Sequence, residues 1–196
     1  MRVLSDGSCS GDWKIKDAIL STLVRLHSRL IDSAEISASS YIEFLTTHTL
    51  PELQSENPFL RTRACQVYEQ VFLYQKVLVR RVGQDHLMRA IDEVYKTFST
   101  SSNSIVLKYV AGLAFSKALQ IHSLKTFILP NLQTILSVYL QVMQEVEHEA
   151  LVQALEDIII HFHKEIHPFA LELAQRMSHY CLQAVQQNGS GAGDQD

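Results

Sequence analysis

Apolar residues recur three and four positions apart along most of the chain, and no sustained period-two alternation sits between turn signals. That pattern predicts helices and no sheet. Glycine and proline divide it into eight helical segments. Asp12 is placed to cap a helix over residues 13 to about 31. A second covers roughly residues 37–54, bent or ended by Pro51. Asn57 and Pro58 stand in the order of an N-cap and first-turn pair and open a third helix running to about Val82. Gly83 closes it, and residues 84–98 form the fourth. The run STSSNS then breaks the chain before a fifth helix over residues 104–120. Residues 122–143 make a sixth, with a kink or short break at Pro130. Residues 147–166 and 168–187 make the seventh and eighth.

The spacing of these segments is more informative than their number. Ile15, Leu60, Val106 and Leu151 each open an odd-numbered helix, at separations of 45, 46 and 45 residues. Three slots from each start give Ile15/Ile19/Thr22, Leu60/Ala64/Val67, Val106/Val110/Leu113 and Leu151/Leu155/Ile158. Eleven of the twelve are apolar, Thr22 being the exception, so one stripe recurs on each odd helix. A helix pair recurring at this period is the mark of HEAT or armadillo arrays, in which neighbours stack because one pair cannot cover its own apolar face. The alternative is an eight-helix globule with helices of similar length. The spacing predicts an all-α fold, an α-solenoid of about four HEAT repeats forming an open right-handed superhelical segment. Its repeats cover about residues 12–56, 57–100, 101–145 and 146–187. The Gly/Ser/Asp-rich stretches 1–11 and 188–196 are expected to be disordered tails.

Composition narrows the function. Of 196 residues, 46% are hydrophobic and 19% charged, enough to bury a core. Seventeen basic against 21 acidic side chains leave a net charge of −4, which argues against clamping a phosphate backbone. Cys9, Cys65 and Cys181 are odd in number and form no CxxC pair, arguing against a disulfide scaffold or a cysteine zinc site and for a reducing compartment. The first twelve residues carry no signal-peptide stretch. The longest uncharged run, residues 126–144, is interrupted by Asn131, Gln133, Gln141 and Gln144, so no membrane span is expected and the chain reads as soluble and intracellular.

Several groups invite chemistry and are better explained without it. His161, His163 and His167 lack the HExxH pattern, since Lys164 follows His163 and Glu165 is misplaced for a base; they read as helix-end residues. Cys65 follows Arg61 and Arg63, which would lower its pKa if adjacent, but free cysteine is more often a buried filler. Arg80, Arg81 and Arg89 form a basic cluster around Gly83, read as a solvated turn with cations at a helix end. Val71–Tyr74 and Phe127/Ile128 read as inter-helix core. The second helices carry mixed charge: Glu43 and Glu52, then Asp92, Glu93 and Lys96, then Lys125, then Glu172 and Arg176. That is not the acid stripe a strongly basic partner needs. No catalytic, cofactor-binding or metal-ligating residue is assigned, no cofactor is implied, partner-contacting residues are not assigned, and the chain reads as a non-enzyme.

Particular motifs resemble a known family. Asp12-Trp13-Lys14-Ile15-Lys16-Asp17-Ala18 resembles the W-K-x-K-D-A opening of a central repeat in importin-β (karyopherin-β) superfamily receptors. Phe59-Leu60-Arg61-Thr62-Arg63-Ala64-Cys65 is similar to the start of the next repeat. Leu129-Pro130 and the segment from Glu147 to Ala170 are similar to the helix pairs that follow, in order, over about Asp12 to Val185. The resemblance is nearest the importin seven and eight subgroup. It implies a central or C-terminal HEAT-repeat fragment of a nuclear import receptor, shuttling between cytoplasm and nucleus. It further implies protein cargo and pore nucleoporins as partners, no nucleic acid and no membrane insertion. Ran GTPase contacts belong to amino-terminal repeats of the full-length receptor, not to this stretch. Two other readings compete: a HEAT scaffold or adaptor unrelated to nuclear transport, and a small metal-dependent enzyme using the histidines.

Overall fold

The computed structural model describes residues 13–32, 38–74, 83–121, 125–146 and 148–189. Among the described residues there are ten helices and no strand. They are α1 (Trp13–Asp32), α2 (Ala38–Phe44), α3 (Pro58–Leu73), α4 (Gln84–Ser99), α5 (Ile105–Leu119), α6 (Lys125–Ile128), α7 (Leu132–Glu145), α8 (Glu149–His161), α9 (His163–Ile166) and α10 (Ala170–Gly189). The chain is all-α, with helices packed side by side as in an α-solenoid. It gathers into two compact units that divide between Lys125 and Thr126, inside the stretch predicted as the third repeat.

Local chemistry sets most helix ends. Asn57 accepts the Phe59 amide at 2.9 Å with Pro58 at the first helical position, as its sequence order predicts. Ser104 caps α5 by accepting from the Leu107 amide, and the His148 ring nitrogen caps α8 from the Ala150 amide. Gly83 precedes α4 at φ +81°, a left-handed conformation that glycine adopts without strain. Pro51 and Pro130 interrupt the second and sixth segments rather than bending them, and Pro168 stands at the start of the eighth. After α2 the chain continues as a π-turn, Leu45–Thr49, and a 3-10 turn, Pro51–Gln54. Pro130 sits in a 3-10 turn between α6 and α7, and Pro168 in another before α10. Each proline lacks the N–H that an α-helical ladder needs.

Two sequence-based boundaries move. The third helix ends at Leu73, because Tyr74 leaves the helical region at φ −91°, ψ 22°, so it stops well short of Val82; residues 75–82 lie outside the described residues. The seventh breaks at Phe162, whose buried ring ends α8 before α9 begins. Asp12 as a cap, the stretch 1–11, and residues 190–196 of the C-terminal stretch also lie outside the described residues.

In the first unit α1, α3 and α5 lie side by side, α4 packs on α5, and the 3-10 turn Pro51–Gln54 packs on α3 and α4. The neighbours are related by a near-constant sequence shift. Trp13 stacks on Phe59 with ring centroids 5.5 Å apart, and Asp17 receives the Arg63 guanidinium at 2.9 Å, both 46 residues away. Increasing together, these pairs show α1 and α3 running parallel. Lys16 crosses to Glu52 at 2.7 Å in the same seam.

The buried stripe differs in register from the predicted one. Leu60, Ala64 and Val67 are buried as expected, as are Leu151, Leu155 and Ile158. On α1, however, Leu20, Leu23 and His27 are buried, and Ile15, Ile19 and Thr22 are not; on α5, Val106 is 60% exposed. The stripe that recurs throughout is Leu20/Leu23/His27, Cys65/Tyr68/Phe72, Ala111/Ala114/Ala118 and Leu155/Ile158/Phe162, at steps of 45, 46 and 44 residues. Two of its members, His27 and Tyr68, are polar, which hid it from an apolar count. The alanines on α5 let α3 and α4 approach closely, since interaxial distance follows side-chain size at the contact.

His27 is the costly member. Its Nδ1 lies 2.8 Å from the Tyr41 hydroxyl, its ring is tilted 5.4 Å from that of Tyr74, and Nε2 has no hydrogen-bond partner. Burial pushes its pKa down to about 4, with the Gln70 backbone pulling the other way. A folded pKa below the unfolded value means stability is fully present above pH 6.5 and is lost as pH falls through 4. Urea titrations should therefore show unfolding free energy dropping by up to about 3 kcal/mol across that window, and His27→Leu should flatten the slope by about one proton. Phe72, fully buried, and Phe59, 63% exposed, give a second contrast. Phe72→Ala should cost about 3–5 kcal/mol in the same titration and Phe59→Ala no more than about 1.

Candidate functional site

The residues that suggested chemistry are not assembled into a site. His161 lies edge-on to Phe162 at 4.8 Å, the His163 Nδ1 is 3.0 Å from the Ile160 carbonyl oxygen, and His167 is exposed in a separate 3-10 turn. His163 opens the single turn of α9 and His167 opens the 3-10 turn that follows it, while the break at Phe162 sets His161 apart from both. Among the described residues no group of three or more His, Cys, Asp or Glu side chains is placed to hold a metal ion.

Cys65 is fully buried in the α3 stripe. Burial pushes its thiol up to about 12, and Arg61 offsets only part of that rise. Arg63 is committed to Asp17 and Gln66. Arg80 and Arg81 fall outside the described residues; Arg89 is exposed. Val71 and Phe72 belong to the core, but Leu73 is 52% exposed and Tyr74 half-buried, so only part of that run packs inside. Ile128 is buried, while the Phe127 side chain is outside the described set.

The second-helix charges largely cancel one another. Glu52 is buried rather than displayed, because Lys16 holds it in the α1 seam. Lys96 bridges Asp92 at 2.7 Å and Glu93 at 3.0 Å, and Arg176 bridges Glu172 at 2.8 Å. Glu43 is exposed and Lys125 half-buried.

Two grooves lie along these elements, one in each unit. In the first, Thr46, Leu50, Pro51 and Gln54 face Arg89, Asp92 and Glu93 across a space of about 270 Å³. At its edge His86 joins the Thr46 hydroxyl at 3.2 Å and the Tyr68 hydroxyl at 2.9 Å, tying α4 to both neighbours. Burial and Arg89 lower the His86 pKa, favouring the neutral ring. In the second unit, α7 and α10 enclose about 690 Å³ lined by Thr134, Ser137, Val138, Gln141 and Gln144 on one side and Glu172, Gln175, Arg176 and His179 on the other. Gln133 donates to Glu172 at 3.1 Å, and Arg176 donates to Ser137 at 3.1 Å. Both pairs are 39 residues apart, so α7 and α10 also run parallel.

Both grooves are open and built from elements one repeat apart, with polar and aliphatic groups mixed along their walls. Over this fold the chain is similar to a protein described as a probable importin-7 homolog from Dictyostelium discoideum. The two are 25% identical over 171 residues, which is 87% of this chain and 15% of that protein. No protein-family model matches the chain, and no solved structure matches it. Among the described residues no helix is long and apolar enough to cross a membrane.

The sequence singled out charged side chains on the second helices, took Gln141 and Gln144 only as interruptions of an uncharged run, and passed over Gln175. An uncharged polar residue on a helix surface carries no motif, and only the parallel register of α7 and α10 brings these three together. The burial of Cys65 is directly testable. Alkylation at pH 8 should modify Cys65 in the native chain at less than about one thousandth of its rate in urea, read by peptide mass spectrometry.

Proposed function

We propose that this chain is a non-enzymatic protein-binding segment of an importin-β-type nuclear import receptor. The observation that carries the reading is the match to the importin-7 homologue across 87% of the chain. The parallel stacking of helices one repeat apart is the architecture such a segment needs, since stacked helix pairs present extended walls to other proteins. The motifs at Asp12–Ala18 and Phe59–Cys65 support a reading nearest the importin seven and eight subgroup. Its partners are protein cargo and pore nucleoporins, and it shuttles between cytoplasm and nucleus. Ran GTPase is contacted elsewhere in the full-length receptor. The work is non-covalent: binding is exchanged for curvature and contact area, with no cofactor and no bond made or broken.

The chain, fluorescently tagged in living cells, should collect at the nuclear rim and co-precipitate phenylalanine-glycine nucleoporins, while immobilised chain retains no Ran-GTP. An even distribution with no nucleoporin recovered would overturn the transport reading and leave a scaffold or adaptor role.

A further inference from the structure

We propose that the segment from Ala38 to Thr49 is held by an acid-opened latch, two neutral imidazoles that keep it against α1 and α4. The latch goes beyond the transport reading and does not depend on it. Both rings end on this segment. His27 on α1 lies 2.8 Å from the Tyr41 hydroxyl, and His86 on α4 lies 3.2 Å from the Thr46 hydroxyl. His86 also reaches the Tyr68 hydroxyl on α3 at 2.9 Å. Tyr41 and Tyr68 are 5% and 0% exposed, and among the described residues each phenol hydroxyl has one hydrogen-bond partner, the imidazole nitrogen. Tyr41 and His86 are 45 residues apart, so the same tie between a first and a second helix recurs one repeat on, with ring and phenol exchanged.

The partners fix where each proton sits. Thr46 spends its hydroxyl proton on the Ile42 carbonyl at 2.9 Å, so its oxygen accepts from His86 Nδ1–H. His86 Nε2 is then bare and accepts from the Tyr68 hydroxyl. His27 holds the opposite tautomer: Nδ1 accepts from Tyr41, and the proton stands on Nε2, which has no hydrogen-bond partner. Each buried phenol therefore donates only while its ring is neutral. A proton added at either acceptor nitrogen leaves a phenol O–H with no acceptor inside the protein, which is costly. Withdrawal of the segment relieves this, because ring and phenol then meet water. Tyr41 from α2 and Tyr74 from the end of α3 face His27 and stay neutral in this range. Tyr68 faces His86 from α3, and Arg89 on α4 repels a charged ring. Among the described residues no carboxylate is bonded to either imidazole. Burial accordingly lowers both pKa values, that of His27 to about 4 against a partial pull from the Gln70 backbone. The closed state is thus fully favoured above pH 6.5 and loses its advantage as pH falls. Opening also draws Thr46 away from the groove it shares with Arg89.

Hydrogen exchange of the full chain, corrected for intrinsic rates, reads the latch. With a His27 pKa of about 4 when closed and 6.5 when open, the opening constant rises roughly fifty-fold between pH 7 and pH 4.5. Protection over residues 38–49 should fall by at least roughly twentyfold in that interval and stand at least roughly tenfold below that of α3 and α5 at pH 4.5. Equal protection of all three at every pH means that only global unfolding is acid-linked, and overturns the latch. Nitrogen-15 imidazole spectra of the unaltered chain at pH 7.5 should show His27 protonated at Nε2 and His86 at Nδ1; either tautomer reversed overturns it as well. The His27→Leu/Tyr41→Phe double variant replaces both partners of one tie by apolar groups. Its helical circular dichroism at pH 7 should match the unaltered chain, and its acid-linked loss of protection over residues 38–49 should shrink by at least about fivefold. A loss within about twofold of the original sinks the inference. Should the variant fail to fold, the exchange and tautomer measurements on the unaltered chain still decide it.

Discussion

A helix hairpin with apolar residues on more than one face cannot hide them against its own partner. Here α1 and α3 answer this by lying parallel, 46 residues apart, and α5 packs on α3 in turn. The buried stripe Leu20/Leu23/His27, Cys65/Tyr68/Phe72, Ala111/Ala114/Ala118 is the apolar part of that contact. At about 1.5–3 kcal/mol for each large side chain removed from water, it outweighs the ion pairs Lys16–Glu52 and Asp17–Arg63 that border it. Those pairs act chiefly on register: a shift of one residue would separate the charges and unstack Trp13 from Phe59.

Once first helices are fixed in this way, the second-helix segments are left as the exposed layer, and their chemistry decides what the surface can hold. In both units the charged groups there are largely consumed internally, by Lys96 with Asp92 and Glu93 and by Arg176 with Glu172. What is displayed is these ion pairs, the hydroxyls and amides beside them, and the exposed Glu43 and Arg89.

Much of the helical pattern was legible in the sequence because its signals are local. Asn57-Pro58 and Ser104 act through their own side chains, and a proline interrupts a ladder wherever it falls. The period near 46 residues was legible too, since stacking imposes it on the apolar positions. The register of the stripe was not. His27 and Tyr68 carry polar atoms, and only the hydroxyl of Tyr41 and the ring of His86 explain how they are tolerated inside. Glu52 was misplaced for the same reason: its partner, Lys16, lies 36 residues away. The end of α3 at Leu73 was missed because the following residues are good helix formers with no breaker before Gly83. The amide-lined groove depends on two helices meeting, which no single stretch encodes.

The placement of the prolines gives the two layers different mechanical character. In the first unit, α1, α3 and α5 run unbroken for 20, 16 and 15 residues, and Pro58 lies at a helix start where it costs nothing. Pro51, Pro130 and Pro168 instead each sit in a 3-10 turn of a second-helix segment. The first helices of this unit are continuous rods, while the second-helix segments are articulated. Bending of a second-helix segment is thus concentrated at these joints, away from the seam packed between α1 and α3.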